Sequence, residues 1–279
     1  MLVGVLSCSK EISDKNLPSG SEIVLSLGGL DVNVETAPAG TKATPVTSLA
    51  STTLYWGATM GGNAEGSASE TVKYATESTT STSGAVLHTG KYQTATPTAY
   101  NWYVSNAAFT TSENTALSVP DNGTDIVVGR LYGNNTITPS VNLDHIFARL
   151  CSVTVQAYSG YSLSSISVYV TPKTSGTYNL RSLSWTAATE SAAASIAGAS
   201  AGTQANDIWL VPGEYTLTLG WTESIGNFTK TYTSVTRTVT LAQNRTNNIM
   251  ITLGGDAQAV TISTSLTPFN PVDAGLYDM

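Results

Sequence analysis

Charge is the scarcest ingredient of this chain: only 11% of its 279 residues are Asp, Glu, Lys or Arg, against about a quarter in an ordinary soluble domain. What charge there is runs negative, with 19 acidic and 12 basic side chains giving a formal net charge of −7. A field of that sign repels phosphate backbones and anionic lipid, and no basic run or basic-aromatic patch offsets it, so nucleic acid is a poor partner. No apolar stretch reaches the ~18 residues that a membrane-spanning helix needs. The membrane, if used, is reached another way, and a lipid anchor only is expected from the amino terminus.

Histidine and cysteine are almost as scarce, with two of each: His88 and His145, Cys8 and Cys151. His145 stands beside Asp144, but neighbours on a strand point to opposite faces, so a satisfied structural histidine is expected rather than an acid-base pair. Neither histidine has a second carboxylate, cysteine or histidine at ligand spacing, and an Asp-x-Asp-x-Asp calcium loop is missing, so no metal is expected. Serine never sits in a Gly-x-Ser-x-Gly elbow. Carboxylate pairs for glycoside hydrolysis meet only in the fold, and none is placed by strand spacing in an aromatic setting. Asn122, Asn227 and Asn244 begin glycosylation sequons that read as ordinary Asn/Thr turns. The chain is expected to be no enzyme, with no catalytic residue and no cofactor.

What the chain has in quantity is hydroxyl and β-forming side chains: 33 serines, 43 threonines, 13 tyrosines and 5 tryptophans within a 41% hydrophobic composition. That much apolar and aromatic material argues against disorder, and β-branched and aromatic residues suit pleated strands. Apolar residues alternate with a period of two at Val32 and Val34, Leu54 to Ala58, Val72 and Tyr74, Tyr100 to Val104, and Ile126 and Val128. The pattern resumes at Cys151 to Val155, Ile166 to Val170, Tyr215 to Trp221, Val239 and Leu241, Ile249 to Leu253, and Val260 and Ile262. Gly28-Gly29, Gly61-Gly62-Asn63, Asp121-Asn122-Gly123, Gly133-Asn134-Asn135, Pro212-Gly213 and Gly254-Gly255 punctuate these runs. The expectation is an all-β fold of sandwiches.

Turn residues and Pro139 place a boundary near Gly133 to Ser140, giving an N-terminal domain over residues 21–138 and a C-terminal domain over 139–279. The alternative is that a strand starting near Val141 pairs back into the first domain. Thr76 to Gly84 reads as a polar loop, and Ala187 to Gly202 as an exposed loop or a single helical turn. Trp185, Trp209 and Trp221 either stack on sugars or fill cores, and the alternation from Tyr215 to Trp221 favours core.

The amino terminus, MLVGVLSC, resembles the lipobox of bacterial lipoprotein signal peptides. Residues 1–8 are then a signal peptide whose start is truncated, Cys8 is the lipidated residue, and the polar residues 9–20 are a tether. The competing account is a frayed apolar terminus with an incidental cysteine. Cys151 reads as a small buried strand residue, with a Cys8 to Cys151 disulfide as its rival.

Several segments taken in order resemble the fimbrillin-like proteins of Bacteroidales, which build type V pili. They are Thr41 to Leu49 (TKATPVTSL), Tyr100 to Asn106 (YNWYVSN), Thr124 to Gly129 (TDIVVG) and Asp144 to Leu150 (DHIFARL) with the SVTV that follows Cys151. Gly176 to Asn179, Val211 to Tyr215 and Asn247 to Gly255 extend the likeness through the second half. The resemblance implies two transthyretin-like β-sandwich domains in tandem, exported as a lipoprotein to the outer membrane and displayed at the cell surface or in a fimbrium. It implies a structural and adhesive subunit whose partners are other pilin subunits and, beyond them, a host or bacterial surface glycan or protein. An arginine-directed protease would remove the leader together with the first domain strand, and a neighbour's carboxyl-terminal strand would fill the vacated groove. Mapped here, the cut falls between Lys42 and Ala43, and the donor strand carries Val260, Ile262, Thr264, Leu266 and Phe269. Two departures stand out. Lys42 lacks the bidentate guanidinium of arginine, and a ten-residue tail with Pro271 and Gly275 follows Phe269. These leave an uncut accessory or anchor subunit open, and a surface glycan-binding lipoprotein is the alternative from another class.

Overall fold

The computed structural model describes residues 20–29, 46–60, 70–93, 99–112, 115–121, 123–255 and 260–268. Among them every regular element is a strand, as the period-two alternation predicts. Val32 and Val34 lie outside the described residues.

The first half supplies β1 (Ser21–Gly28), β2 (Thr53–Met60), β3 (Thr71–Thr80), β4 (Val86–Gln93) and β5 (Tyr100–Ser105), then β6 (Ala116–Val119), β7 (Val127–Asn134) and β8 (Ser140–His145). All but β6 form one seven-stranded sheet in the order β3-β2-β5-β7-β8-β1-β4. The sheet curls over one core, because Ile23, Leu54, Leu87, Trp102, Val127 and Val141, from six of its strands, meet in a single fully buried cluster. Curling brings the edge strands β3 and β4 together beside the tight turn that joins them. Lys91 Nζ of β4 lies 2.5 Å from Glu77 Oε1 of β3.

The turn expected to separate two domains is instead a hairpin. Asn134 Oδ1 accepts the Thr136 backbone N–H and hydroxyl, each at 3.0 Å, and reverses the chain from β7 into β8. Strand β8 then lies between β7 and β1, and Val141 and Leu143 are fully buried in the first core. The first sheet therefore runs through His145, past the boundary expected at 138/139, and the chain crosses over at Ile146 and Phe147.

The second half contains β9 (Ala148–Ala157), β10 (Ser162–Val170), β11 (Lys173–Asn179), β12 (Ser184–Glu190), β13 (Ala194–Ser195) and β14 (Gly202–Leu210). It continues with β15 (Gly213–Ile225), β16 (Phe228–Leu241), β17 (Arg245–Leu253) and β18 (Thr261–Pro268). Two four-stranded sheets, β14-β9-β17-β18 and β13-β10-β15-β16, face each other across a core. One sheet supplies Val153, Val155, Ile249 and Ile251, and the other Ile166, Val168, Leu217, Leu219 and Trp221.

A third sheet, β12-β11-β6, joins the halves, since β6 precedes the crossover and β11 and β12 follow it. Its Leu117, Val119 and Tyr178 meet Tyr103 and Val128 of the first sheet and Phe147 and Trp209 of the second half in one cluster. Strand β5 is consequently buried at all six positions: Tyr100, Trp102 and Val104 enter the first core, and Tyr103 enters the junction cluster.

Several local expectations change. Thr76 to Thr80 continue β3 instead of forming a loop, because β2 supplies their backbone partners and Thr53 and Thr80 share a hydroxyl bond at 3.1 Å. Ala187 to Glu190 belong to β12, Ala194 and Ser195 form β13, and no helical turn forms between Ala187 and Gly202. Cys151 is only half-buried, because a bulge opposite Asn247 and Asn248 makes it the extra residue of β9 and Leu150 takes the inward position.

Behind β5 the halves are locked by a buried carboxylate. Glu70 is fully buried. It accepts bonds from the hydroxyls of Thr59 (2.6 Å) and Tyr103 (2.8 Å) and the Asn101 amide (3.1 Å), and Arg181 Nε of the second half lies 3.3 Å away. Burial first, and then the bond to this carboxylate, pushes the Tyr103 hydroxyl's pKa well up, so it remains a donor. Glu70→Ala strands Arg181 and three donors, and should lower unfolding stability by about 3 kcal/mol or more, read from the urea midpoint. Glu70→Gln should lose less.

Candidate functional site

Strand β1 lies one strand in from the edge of the first sheet, between β8 and β4. It pairs antiparallel with β4 on one side and parallel with β8 on the other. Its backbone N–H groups serve both sides: Val24 and Ser26 donate to the Ile137 and Pro139 carbonyls at 2.8 and 2.9 Å, and Leu27 donates to Ala85 at 3.0 Å. The alternating Ile23, Leu25 and Leu27 are 0%, 0% and 8% exposed, and each such side chain contributes about 1.5–3 kcal/mol by leaving water. They rest on a wall that includes Leu54, Trp56, Leu87, Val141 and Leu143. Withdrawing β1 uncovers that wall and unpairs two strand edges at once.

The ends of β1 are fastened separately. Gly29 has φ +92°, and a Cβ there would lie 2.6 Å from the Leu143 carbonyl oxygen, so only glycine lets the chain leave so close to β8. At the other end a bulge at Glu22 to Val24 aims the Glu22 carboxylate at β4. There Glu22 lies 3.1 Å from His88 Nδ1 and accepts the Gly90 N–H at 3.0 Å. The bond from His88, followed by the one from Gly90, holds the Glu22 carboxyl below its usual pKa of 4.5.

Of the residues singled out from sequence, Cys8, Lys42, Ala43 and Phe269 lie outside the described residues. The remaining donor positions lie on β18 and just before it. Val260 is buried in the second core, Ile262 packs against it half-buried, Thr264 is exposed, and Leu266 is 50% exposed. Strand β18 is the edge of its own sheet, paired only with β17 from Thr261 opposite Thr252 to Pro268 opposite Arg245. Within one chain it lies in a different sheet from β1.

His145 is a buried, satisfied histidine, as the sequence suggests. Asp144 turns away from His145 and accepts the Asn244 amide at 3.1 Å. The partner of His145 is Asp125, 2.7 Å away and buried with it. Trp209 stacks on the imidazole with rings 6° from parallel, and Asp125 also accepts the Val46 N–H at 2.7 Å. Sequence reasoning missed Asp125. Its one signal was membership of the TDIVVG block. Trp209 and Trp221 are 3% and 1% exposed, and Trp185 packs on the junction cluster and donates to the Ile146 carbonyl at 3.0 Å. Trp209 and Trp221 are core residues, and Trp185 is a partly buried one at the edge of the junction cluster.

No family model and no curated protein sequence matches the chain. Solved structures do. A candidate cell adhesion protein from Parabacteroides distasonis is 9% identical, with a TM-score of 0.56 over 91% of this chain and 98% of its own. At that identity the likeness is one of fold. A fimbrial protein from Bacteroides vulgatus (TM-score 0.49, 10% identity) covers 89% of this chain and 99% of its own. The tip fimbrial protein Mfa3 from Porphyromonas gingivalis, with its C-terminus truncated (TM-score 0.43, 8% identity), covers 89% and 100%. The structures that this chain resembles are thus fimbrial and candidate adhesion proteins of Bacteroidales.

Two predictions concern β1. Leu25→Ala should weaken its docking by about 2–5 kcal/mol, seen as faster hydrogen exchange of the β1, β4 and β8 amides with little change in β9 and β17. Because the Glu22 pKa is depressed when β1 is docked, its contribution is present above the ordinary value of 4.5 and is lost as pH falls through the docked value. Exchange in β1 should therefore rise between about pH 6 and about pH 3 relative to the rest of the first sheet. Glu22→Gln should flatten that rise.

Proposed function

We propose that this chain is a non-enzymatic, adhesive subunit of a cell-surface fimbria that joins its neighbours by strand exchange. In this reading the two halves are transthyretin-like sandwich domains in tandem. The chain is exported as an outer-membrane lipoprotein lipidated at Cys8 and is cut between Lys42 and Ala43. The observation that carries the proposal is the seating of β1. Its residues precede the proposed cut, so cleavage converts an intramolecular strand into a dissociable one. Its loss leaves unpaired edges and an open core that another strand satisfies together.

The donor is β18 of a second copy. Val260, Ile262, Thr264 and Leu266 repeat the two-residue spacing of Ile23, Leu25 and Leu27. The polarity also fits. Ser21 lies at the end of the first sheet away from the junction, opposite Gln93. Thr261, opposite Thr252, lies at the end of the second half away from the junction. A β18 leaving that end enters the next subunit's slot in the direction of β1, parallel to β8 and antiparallel to β4. The fold shared with the Parabacteroides distasonis adhesion candidate agrees with this role.

Deleting Ala259 to Met279 should leave an exported, folded protein that fails to assemble. Ladders of polymer persisting in that mutant on denaturing gels would count against strand exchange. Sequencing the amino terminus of the protein on cells tests the processing step: a start at Ala43 is expected, and a lipidated Cys8 would mean an uncut subunit.

A further inference from the structure

Among the described residues eight large hydrophobic side chains stand exposed, and five of them lie at the two far ends of the molecule. Single exposed apolar residues need no explanation, but three of these group. At the end of the second half, Ile225 and Phe228 face each other across the β15-β16 hairpin, and Phe228 is 80% exposed. The loop after β9 lies against them, with a Cβ on Gly160 falling 3.9 Å from Ile225 Cδ1. That loop begins at Tyr158, itself 39% exposed, whose hydroxyl bonds Thr261 at 2.9 Å. The start of β18 is therefore part of this apolar tip. At the opposite end of the molecule, Val72 and Ile137 are 46% and 40% exposed. Ile137 sits where β1 enters the sheet, its carbonyl accepting the Val24 N–H.

Resting on the strand-exchange reading, we infer that the tip formed by Tyr158, Ile225 and Phe228 docks on the Val72 and Ile137 end of a second copy of this chain. Chain length requires it. Gly255 closes β17 in its own subunit, and Val260 would take the first inward position of the neighbour's slot. Five peptide steps separate them, a reach of about 18 Å at most. The neighbour's first-sheet end must then lie against the tip, and it carries exposed apolar residues beside the mouth of the slot. Such a contact joins two different patches, so it propagates head to tail into a filament instead of closing as a dimer. The tip gives the incoming strand a rigid, oriented start, and the apolar contact adds to the hold of the strand itself.

The test uses the full chain cut by limited trypsin treatment, with benzoylphenylalanine at position 228. Irradiated fibres should give intermolecular cross-links to the neighbour around Val72 or within residues 133–139. Fibres that form with no cross-link there would overturn the inference. Phe228→Asp, at a position 80% exposed, should slow fibre growth about tenfold or more, the scale of one lost apolar anchor. Tyr169→Asp, on an exposed flank away from both ends, should not slow it, and equal rates for the two variants would also overturn the inference. A synthetic Val260 to Phe269 peptide should enter the slot of the cut Phe228→Asp protein as it enters the unmodified one, because peptide entry bypasses docking. Failure of the peptide to enter either protein overturns strand exchange and the docking with it. Entry without a cross-link from position 228 overturns docking alone.

Discussion

Strand β5 is dry on both faces, and each face is dried by a different part of the chain. Trp102 and Val104 point into the curled first sheet, while Tyr103 points into the cluster built from β6, β11 and the crossover at Phe147. A strand buried on both faces needs a covering layer on the outer side of its sheet. The second half therefore does more than follow the first along the chain: it covers it. Glu70 and Arg181 sit on the same covered face. A carboxylate with that many donors is tolerable in the interior only where both halves are docked. The interface between the halves is thus core.

That division of labour places rigidity and lability in different parts of the fold. The parallel pair β9 and β17 lies in the middle of its sheet and is held by Val153, Val155, Ile249 and Ile251 from within. Strand β1 is held as well by its side chains. It is joined to the later strands of its sheet through residues 30–45, so a cut there would leave its side chains and hydrogen bonds to hold it against them.

The strands whose side chains alternate between core and solvent were legible in the sequence, because period two is a property of the backbone and survives without any tertiary knowledge. Tyr215 to Trp221 is one such case, reading out as buried, exposed and buried again along β15. The Ser- and Thr-rich end of β3 and the Ala-rich β12 were not legible. Both are edge strands with mostly exposed side chains on either face, so no apolar period marks them. The hairpin at Asn134 and an interdomain linker use the same turn residues. Only the burial of Val141 and Leu143 on the far side distinguishes them, and that requires knowing which core they enter. Asp125 was hidden for a related reason, since a buried ion pair between distant positions leaves no spacing to read. The β1 slot was half legible. The three alternating residues Ile23, Leu25 and Leu27 stand in the sequence, but their parallel partner β8 lies more than a hundred residues on.

The contrast between β1 and β18 gives strand exchange a direction. In its own sheet β18 has one hydrogen-bonded neighbour, and among its described side chains those buried lie at its first end, with Thr264 and Leu266 outside. In the slot of a second molecule the same strand would have neighbours on both sides, and its alternate residues would face a wall of leucine, valine and tryptophan. Each backbone pair gained is worth about 0.5–1.5 kcal/mol net, and burying Leu266 adds about 1.5–3 kcal/mol. β1, with three deeply buried residues, is already as well placed as β18 would be. On the strand-exchange reading an uncut chain therefore has no reason to exchange. Only when the cut lets β1 diffuse away does the slot's exposed wall favour the incoming strand, so a proteolytic step, rather than a difference in strand affinity, would decide when the subunit assembles.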